Sequence, residues 1–150
     1  MGSSRGKQLY ISLERKMHDK KTTGRCLCGA VRYQTEAEAE WTWYCHCESC
    51  RRHTGAPVAM YVGFPEDKIE WLAGERALCE HTPGIFRGYC RDCGTPLTYE
   101  GLWRGKEIFE VHISTLDEPD KFPPSRHCFY NERIAWFDTS DDLRRDVTPQ

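Results

Sequence analysis

The chain has 150 residues, of which 39% are hydrophobic and 29% charged, and its formal net charge at pH 7 is -2. This composition is typical of a folded globular protein, and the length suffices for one hydrophobic core. No apolar run approaches the ~18 residues that a membrane-spanning helix needs, so no membrane association is expected. The sequence contains no block of like charge, so a nucleic-acid partner is not expected.

The N-terminus has the composition of an expression-vector leader, and Met17 has the character of a natural start. We therefore expect residues 1–16 to be a leader and residues 17–150 to form a single domain. The first residues contain no apolar signal-peptide core, so a cytoplasmic location is expected.

Nine cysteines are present, and most of them fall into C-x-C and C-x-x-C groups. Disulfide frameworks belong mainly to secreted chains, whereas close pairs and triplets in a reducing compartment favour metal binding. The two cysteines outside the groups, Cys79 and Cys128, are expected to be buried as small hydrophobic residues.

Alternating apolar and polar residues predict short strands along most of the chain. A helical turn is expected over 48–53, and the proline-rich segment 117–125 is expected to lack regular structure. Trp136 and Phe137 are expected to pack a C-terminal segment onto the core. The fold is therefore predicted to be mainly β, of a sandwich-like or barrel-like kind. The predicted strands are 30–34, 41–44, 58–64, 68–73, 77–81, 85–89, 97–99, 108–113 and 127–130.

Cys26-x-Cys28 and Cys90-x-x-Cys93 supply four thiolates from two knuckles that lie far apart in the sequence. Each knuckle is followed by a glycine, which lets the backbone turn around a metal. Two such zinc-ribbon-like knuckles that close one tetrahedron are the usual plan of a structural zinc site.

The triplet Cys45, Cys47 and Cys50 offers three more sulfurs within six residues. A disulfide between two of them would leave the third without a partner, whereas zinc accepts all three and keeps an open position for water, a thiol or a substrate. The alternative is a structural zinc with a distant fourth ligand. Candidates for that ligand are His112, His127 and Cys128.

Arg51 and Arg52 follow the triplet directly. A zinc ion with three thiolates carries a net negative charge, which these cations could balance, and they could also bind the carboxylates of a substrate. The alternative is that both are ordinary exposed charges.

A competing motif is the H-x-E … P-C-x-x-C signature of zinc deaminases, which His46, Glu48, Cys90 and Cys93 imitate. Tyr89 stands where that signature needs proline, and the remaining clustered cysteines would have no role. The deaminase interpretation is therefore disfavoured.

Together, the motifs resemble the family of glutathione-dependent formaldehyde-activating enzymes, which also includes centromere protein V. The resemblance spans nearly all of residues 22–143. Its three motifs are Gly24-x-Cys26-x-Cys28-Gly29, Cys45-His46-Cys47-x-x-Cys50-Arg51 and Cys90-x-x-Cys93-Gly94-Thr95-Pro96.

The resemblance implies a β-tent fold of short antiparallel sheets and two zinc ions per chain. It places a structural zinc on Cys26, Cys28, Cys90 and Cys93, and a second zinc on the triplet. It also implies a carbon–sulfur lyase that adds glutathione to formaldehyde and gives S-hydroxymethylglutathione.

In such a reaction, zinc generates a thiolate near neutral pH, the thiolate attacks the aldehyde carbon, and a proton donor neutralises the alkoxide. The sequence does not identify the donor. Two other functions remain open at this point: a zinc-stabilised binding module, and a thiol protein that responds to oxidation or zinc through the triplet.

Overall fold

The computed structural model describes residues 21–148. The predicted leader and its boundary at Met17 lie outside the described residues and stay predictions. The described residues form strands and one α-helix, joined by loops and short 3₁₀ turns. The elements are β1 (Thr22–Arg25), β2 (Arg32–Thr35), β3 (Trp41–Cys45), α1 (Glu48–Thr54), β4 (Ala59–Gly63), β5 (Glu70–Ala73), β6 (Ala77–Thr82), β7 (Ile85–Tyr89), β8 (Pro96–Trp103), β9 (Lys106–His112), β10 (Arg126–Cys128) and β11 (Arg144–Arg145).

The strands form a small sheet in the order β1-β2-β5 and a large sheet in the order β11-β10-β3-β4-β9-β8-β7-β6. The prediction of a mainly β fold is confirmed. Most neighbouring strands are antiparallel, but β10 runs parallel to both β3 and β11. Among the described residues, no helix is long and apolar enough to cross a membrane.

The main core lies between the two sheets. Tyr33 of the small sheet packs in the same cluster as Val62 and Val111 of the large sheet, and each of these side chains is buried. The Tyr33 hydroxyl forms a hydrogen bond of 2.6 Å with Thr115 Oγ1, which satisfies both polar groups inside this core. The central strands of the large sheet are therefore covered on this face by the small sheet.

The opposite face of the large sheet carries residues of a different kind. Residues that pair across a ladder share a face, and successive residues of a strand alternate between faces. Trp43 pairs with Tyr61, Tyr61 with His112, and Tyr99 with both Glu110 and Arg87. We call this the site face. From β3 to β7 it contains Cys45, Trp43, Tyr61, His112, Glu110, Tyr99 and Arg87.

Two packing predictions are wrong. Cys79 is exposed, because β6 is the outer strand of the large sheet and most of its side chains face solvent. Trp136 is 78% exposed, so it does not pack on the core. The C-terminal segment is instead joined to the sheet by β11 and by a hydrogen bond of 3.2 Å from Arg145 to the Thr139 carbonyl. Cys128 is buried, as predicted.

The proline-rich segment is less irregular than predicted, since it contains a 3₁₀ turn over Pro119–Lys121, with the proline at the start of the turn. Proline is favoured there because its fixed φ suits the first turn and its missing N–H would have no partner. The strand predicted over 127–130 is shorter, since β10 ends at Cys128 and a 3₁₀ turn follows at Tyr130–Glu132.

Gly63 of β4 lies under the indole of Trp41, and a Cβ at this glycine would collide with that ring. Trp41 Nε1 donates a hydrogen bond of 2.6 Å to Glu110 Oε1. Gly63→Ala should displace the indole and lower the free energy of unfolding by about 1–3 kcal/mol, the usual effect of overpacking. Chemical denaturation measures this change.

The control for this variant is Leu72→Ala on the exposed part of β5, which should change stability by less than about 0.5 kcal/mol. A Gly63→Ala protein as stable as the wild type would show that the indole does not need its close contact with β4.

Candidate functional site

The structure brings Cys26, Cys28, Cys90 and Cys93 together, with all four sulfurs within 4.8 Å of one another. The Cys26 and Cys28 sulfurs are 3.5 Å apart, and those of Cys28 and Cys90 are 3.8 Å apart. A tetrahedron with zinc–sulfur bonds of ~2.3 Å spaces its sulfurs at about 3.8 Å. The four residues therefore fit a zinc ion.

Each half of this cluster is a tight turn closed by glycine. Gly29 and Gly94 have φ values of 78° and 73°, a region that favours glycine, and their N–H groups donate to the carbonyls of Cys26 and Cys90. The first turn connects β1 to β2 in the small sheet, and the second connects β7 to β8 in the large sheet. A metal here would cross-link the two sheets.

The triplet assembles where β3 meets α1. Cys45 ends β3, Cys47 is the N-cap of α1, and Cys50 lies in the first turn of the helix. The Cys45 and Cys47 sulfurs are 3.5 Å apart, and Cys47 Sγ accepts a hydrogen bond from the Cys50 N–H at 3.4 Å. The three sulfurs lie within 4.8 Å of one another, and no other described residue adds a ligand atom to this group.

The three thiols cannot ionise independently. Hydrogen bonds with Cys45 and Cys50 lower the pKa of Cys47 to about 3, with a smaller contribution from the charge of Arg87. The hydrogen bond with Cys47 and burial raise the pKa of Cys45 well above its ordinary value. One thiolate is thus stabilised, and ionising the other thiols needs a cation. This donor set suits a soft divalent metal such as zinc.

The triplet forms one wall of a cavity of about 250 Å³ on the site face. Apolar and aromatic side chains make up much of the remaining wall. Two buried ionisable groups, Arg87 and Glu110, lie among them. Further lining residues are Trp43, Ser49, Tyr61, Thr82, Ile85, Tyr99, Trp103, Ile108, Cys128, Phe129 and Glu132.

Glu110 is only 2% exposed, and its Oε1 is held by the Trp41 indole. Burial raises the pKa of Glu110 to about 8, although the Trp41 hydrogen bond and the charge of Arg126 act in the opposite direction. At neutral pH this side chain is therefore mainly an uncharged carboxylic acid. The sequence analysis did not single out Glu110 as a site residue. Its position between Phe109 and Val111 in a predicted strand already places its side chain on the face opposite to theirs.

Arg87 is 6% exposed, and its guanidinium lies 5.1 Å from the centre of the Tyr99 ring. Within residues 21–148, its Nε has no hydrogen-bond partner. A buried cation with an unpaired N–H facing a cavity is suited to an anionic ligand or to charge that develops during a reaction.

Two of the candidate fourth ligands lie outside the group of three sulfurs. His112 stacks near Tyr61, with ring centres 4.5 Å apart, and burial lowers its pKa to about 3. His127 Nδ1 bonds His46 Nε2 at 2.8 Å, and His127 Nε2 bonds Asp141 Oδ1 at 3.1 Å. His127 is thus engaged elsewhere, and His112 is held neutral in the sheet.

The third candidate, Cys128, pairs with Cys45 across β10 and β3 and lines the cavity, but its sulfur is not part of the triplet group. Burial raises the pKa of Cys128 to about 12, so this thiol stays protonated.

The surroundings of His46 and Glu48 also argue against deaminase chemistry. His46 is buried and bonded to His127, and Glu48 forms an exposed ion pair of 2.7 Å with Arg52. Neither residue belongs to a metal-type cluster within the described part of the chain. The deaminase signature needs the histidine on the metal and the glutamate beside it.

Arg51 and Arg52 do not line the cavity. Arg51 donates to the carbonyls of His46 and Glu132 at 3.0 and 3.1 Å, which fixes the start of α1. Arg52 is exposed, and both arginines border a shallow surface depression with Trp136. Their predicted contact with a substrate carboxylate stays a prediction, and it would concern a part of the substrate outside the cavity.

The chain was compared with protein-family models, curated proteins and solved structures. Residues 21–132 match the family model described as glutathione-dependent formaldehyde-activating enzyme. A crystal structure of a Rhodobacter sphaeroides protein is similar in fold, with a TM-score of 0.53 and 24% identity. That match covers 63% of this chain and 87% of the other. No curated protein matches the sequence.

The two clusters should differ in what they hold together. Structural zinc contributes an apparent ~10–16 kcal/mol to folding in small metal-dependent domains, against a net stability of about 5–15 kcal/mol. Cys90→Ser should therefore leave the protein largely unfolded. Cys50→Ser removes a ligand from a local turn, so the fold should persist while the second metal is lost. Circular dichroism melting and metal analysis measure both effects.

The wild-type protein, purified with added zinc, should hold two ions per chain and release the triplet ion first during stepwise chelation. If Cys50→Ser unfolds the protein as severely as Cys90→Ser, the triplet is a structural site and has no open position.

Proposed function

Since the chain belongs to the family of glutathione-dependent formaldehyde-activating enzymes, we propose that it is a zinc-dependent carbon–sulfur lyase that joins a thiol such as glutathione to a small aldehyde. The proposal rests on one cavity that is lined by three clustered thiols, a buried cation and a buried carboxylic acid. Cys26, Cys28, Cys90 and Cys93 would hold a structural zinc, and the triplet would hold the reactive one.

The reaction forms a carbon–sulfur bond, breaks the carbonyl π bond, and places a proton on the oxygen. Zinc at the triplet supplies a lowered pKa for a bound thiol, and therefore a thiolate near neutral pH. Cys45, Cys47 and Cys50 would hold that zinc at one wall of the cavity, and so would place a bound thiol beside it.

Glu110 is the proposed proton donor. Its Oε1 accepts the Trp41 hydrogen bond, so its proton is available on Oε2. The aldehyde oxygen takes up this proton as it gains negative charge, and the proton released by the incoming thiol restores the acid. A pKa of about 8 matches this task at neutral pH, since the acid is protonated and yet gives up its proton readily.

Arg87 is proposed to stabilise the negative charge of the thiolates and of the developing alkoxide. Its guanidinium is already desolvated and held against Tyr99, so little reorganisation is needed during the reaction. Arg51 and Arg52 are proposed to bind carboxylates of the thiol that extend outside the cavity. Arg52 is available for this, because an exposed pair with Glu48 is worth little.

A binding module or a thiol sensor does not account for Glu110. A carboxyl group with one indole partner is costly to bury, and such groups cluster where proton transfer is needed. The triplet alone is compatible with all three functions, whereas the triplet together with Glu110 and Arg87 favours the lyase.

Glu110→Gln should lower the rate of thiol–aldehyde adduct formation by about 10²–10⁴-fold, since the amide keeps the shape but transfers no proton. The wild-type rate should fall as the pH rises through about 8, where Glu110 loses its proton. Steady-state kinetics over a pH series measures both, and zinc content and thiol affinity should stay unchanged. Glu107→Gln, an exposed glutamate on β9, is the matched control. A Glu110→Gln enzyme with the wild-type rate and pH profile would show that Glu110 is not the proton donor.

Replacing Arg52 by Gln, alone and with Arg51→Gln, should weaken glutathione binding by about tenfold, the lower range for a charge-assisted contact. Calorimetric titration measures the affinity, and Arg32→Gln on β2 serves as an exposed control. Unchanged affinity in the double variant would show that Arg51 and Arg52 are surface charges that do not bind the thiol.

Arg87→Gln should lower kcat more than it weakens glutathione binding.

A further inference from the structure

The cavity is larger than formaldehyde requires. Formaldehyde has two heavy atoms and needs a space of the order of one or two water molecules, at about 30 Å³ each. The cavity measures about 250 Å³, close to the lower range of ordinary small-molecule sites. With formaldehyde bound, most of the space would stay filled with water.

The additional space has apolar walls. Trp43, Trp103 and Phe129 contribute rings, and Ile85 and Ile108 contribute branched side chains. Such a surface, on which the indole N–H groups are the polar atoms, offers few hydrogen bonds to trapped water or to a charged tripeptide. An apolar ligand group of similar size would gain the free energy of leaving water.

Phe129 has a backbone conformation that points to more than packing. Its φ is 54° and its ψ is 40°, in the left-handed region, which L-residues with a bulky side chain rarely adopt. Its ring meets Trp103 edge to face, with ring centres 5.9 Å apart. Strain of this kind persists where the surroundings enforce it, and it clusters at ligand sites.

We propose, on the basis of the lyase function above, that the preferred aldehyde carries an aromatic or similarly bulky apolar substituent, which packs against Trp103, Phe129 and Ile108. The groups proposed to act on the carbonyl oxygen, Glu110 and Arg87, line the same cavity as these apolar walls. An aldehyde whose oxygen reaches Glu110 must therefore place its substituent in the same space.

The thiol occupies the other side of the reacting pair. Glutathione carries two carboxylates and an ammonium group, and burying them among indoles would leave charges unsolvated. Its sulfur is held at the triplet wall, and its charged ends extend towards the exposed surface of α1. In the reaction the sulfur bonds the carbonyl carbon, Glu110 protonates the oxygen, and the thiol proton returns to Glu110.

The test compares acetaldehyde with phenylacetaldehyde, which differ by one phenyl ring, using the full-length zinc-loaded protein and glutathione. After subtraction of the uncatalysed rates, kcat/KM should be at least about tenfold higher for phenylacetaldehyde, the gain expected from burying a ring. Trp103→Ala should remove most of this preference. Leu72→Ala, at an exposed residue of β5 outside the cavity, should keep it. Circular dichroism confirms that both variants fold.

Equal or better use of acetaldehyde would overturn the inference. A second reaction, of acetaldehyde with benzyl mercaptan, tests whether the cavity instead takes a ring carried by the thiol. A comparable gain from a ring on the thiol, with none from a ring on the aldehyde, would also overturn it.

If no thiol and aldehyde pair reacts faster than in buffer, the lyase function fails, and binding decides the inference. Ligand-observed NMR should then show saturable binding of 2-phenylethanol but not of ethanol, with the binding lost in Trp103→Ala and kept in Leu72→Ala. Absence of this binding would show that the cavity does not take the apolar group.

Discussion

Side-chain alternation along the large sheet decides which residues meet the core and which meet the cavity. Val62 and Val111 face the small sheet, while their neighbours Tyr61 and Glu110 face the cavity. A slip of one residue in β9 would exchange the two sets, burying the carboxyl in the core and exposing the valine. The register between β4 and β9 therefore fixes the fold and the site together.

The two faces of the large sheet treat buried charge differently. Glu100 is buried and receives two hydrogen bonds from Arg76, at 2.8 and 2.7 Å, so this ion pair is satisfied within the fold. Among residues 21–148, Arg87 has no such partner for its Nε, and Glu110 accepts its hydrogen bond from an indole instead of a cation. Unpaired buried groups cost stability, and folds that keep them generally use them in binding or catalysis. The contrast with Arg76 and Glu100 distinguishes the site face from the face that meets the small sheet.

The metal clusters could be predicted from the sequence because their ligands are close neighbours within each motif, and local spacing is what a sequence displays directly. The strands could be predicted from alternation for the same reason. Arg87 and Glu110 could not be, since they belong to different strands and only the sheet brings them to one cavity. The expected burial of Cys79 failed for a related reason, because a strand pattern does not show which strand lies at the edge.

The two cysteine clusters hold different parts of the fold together. The four-cysteine cluster joins both sheets, so a metal there would fix one sheet against the other. The triplet joins only the end of β3 to the first turn of α1, and its neighbour His46 is held by His127. This contact anchors the triplet backbone from the side of β10. Under the proposed function, a metal held by such a turn would change its ligand without disturbing the core, as repeated turnover requires.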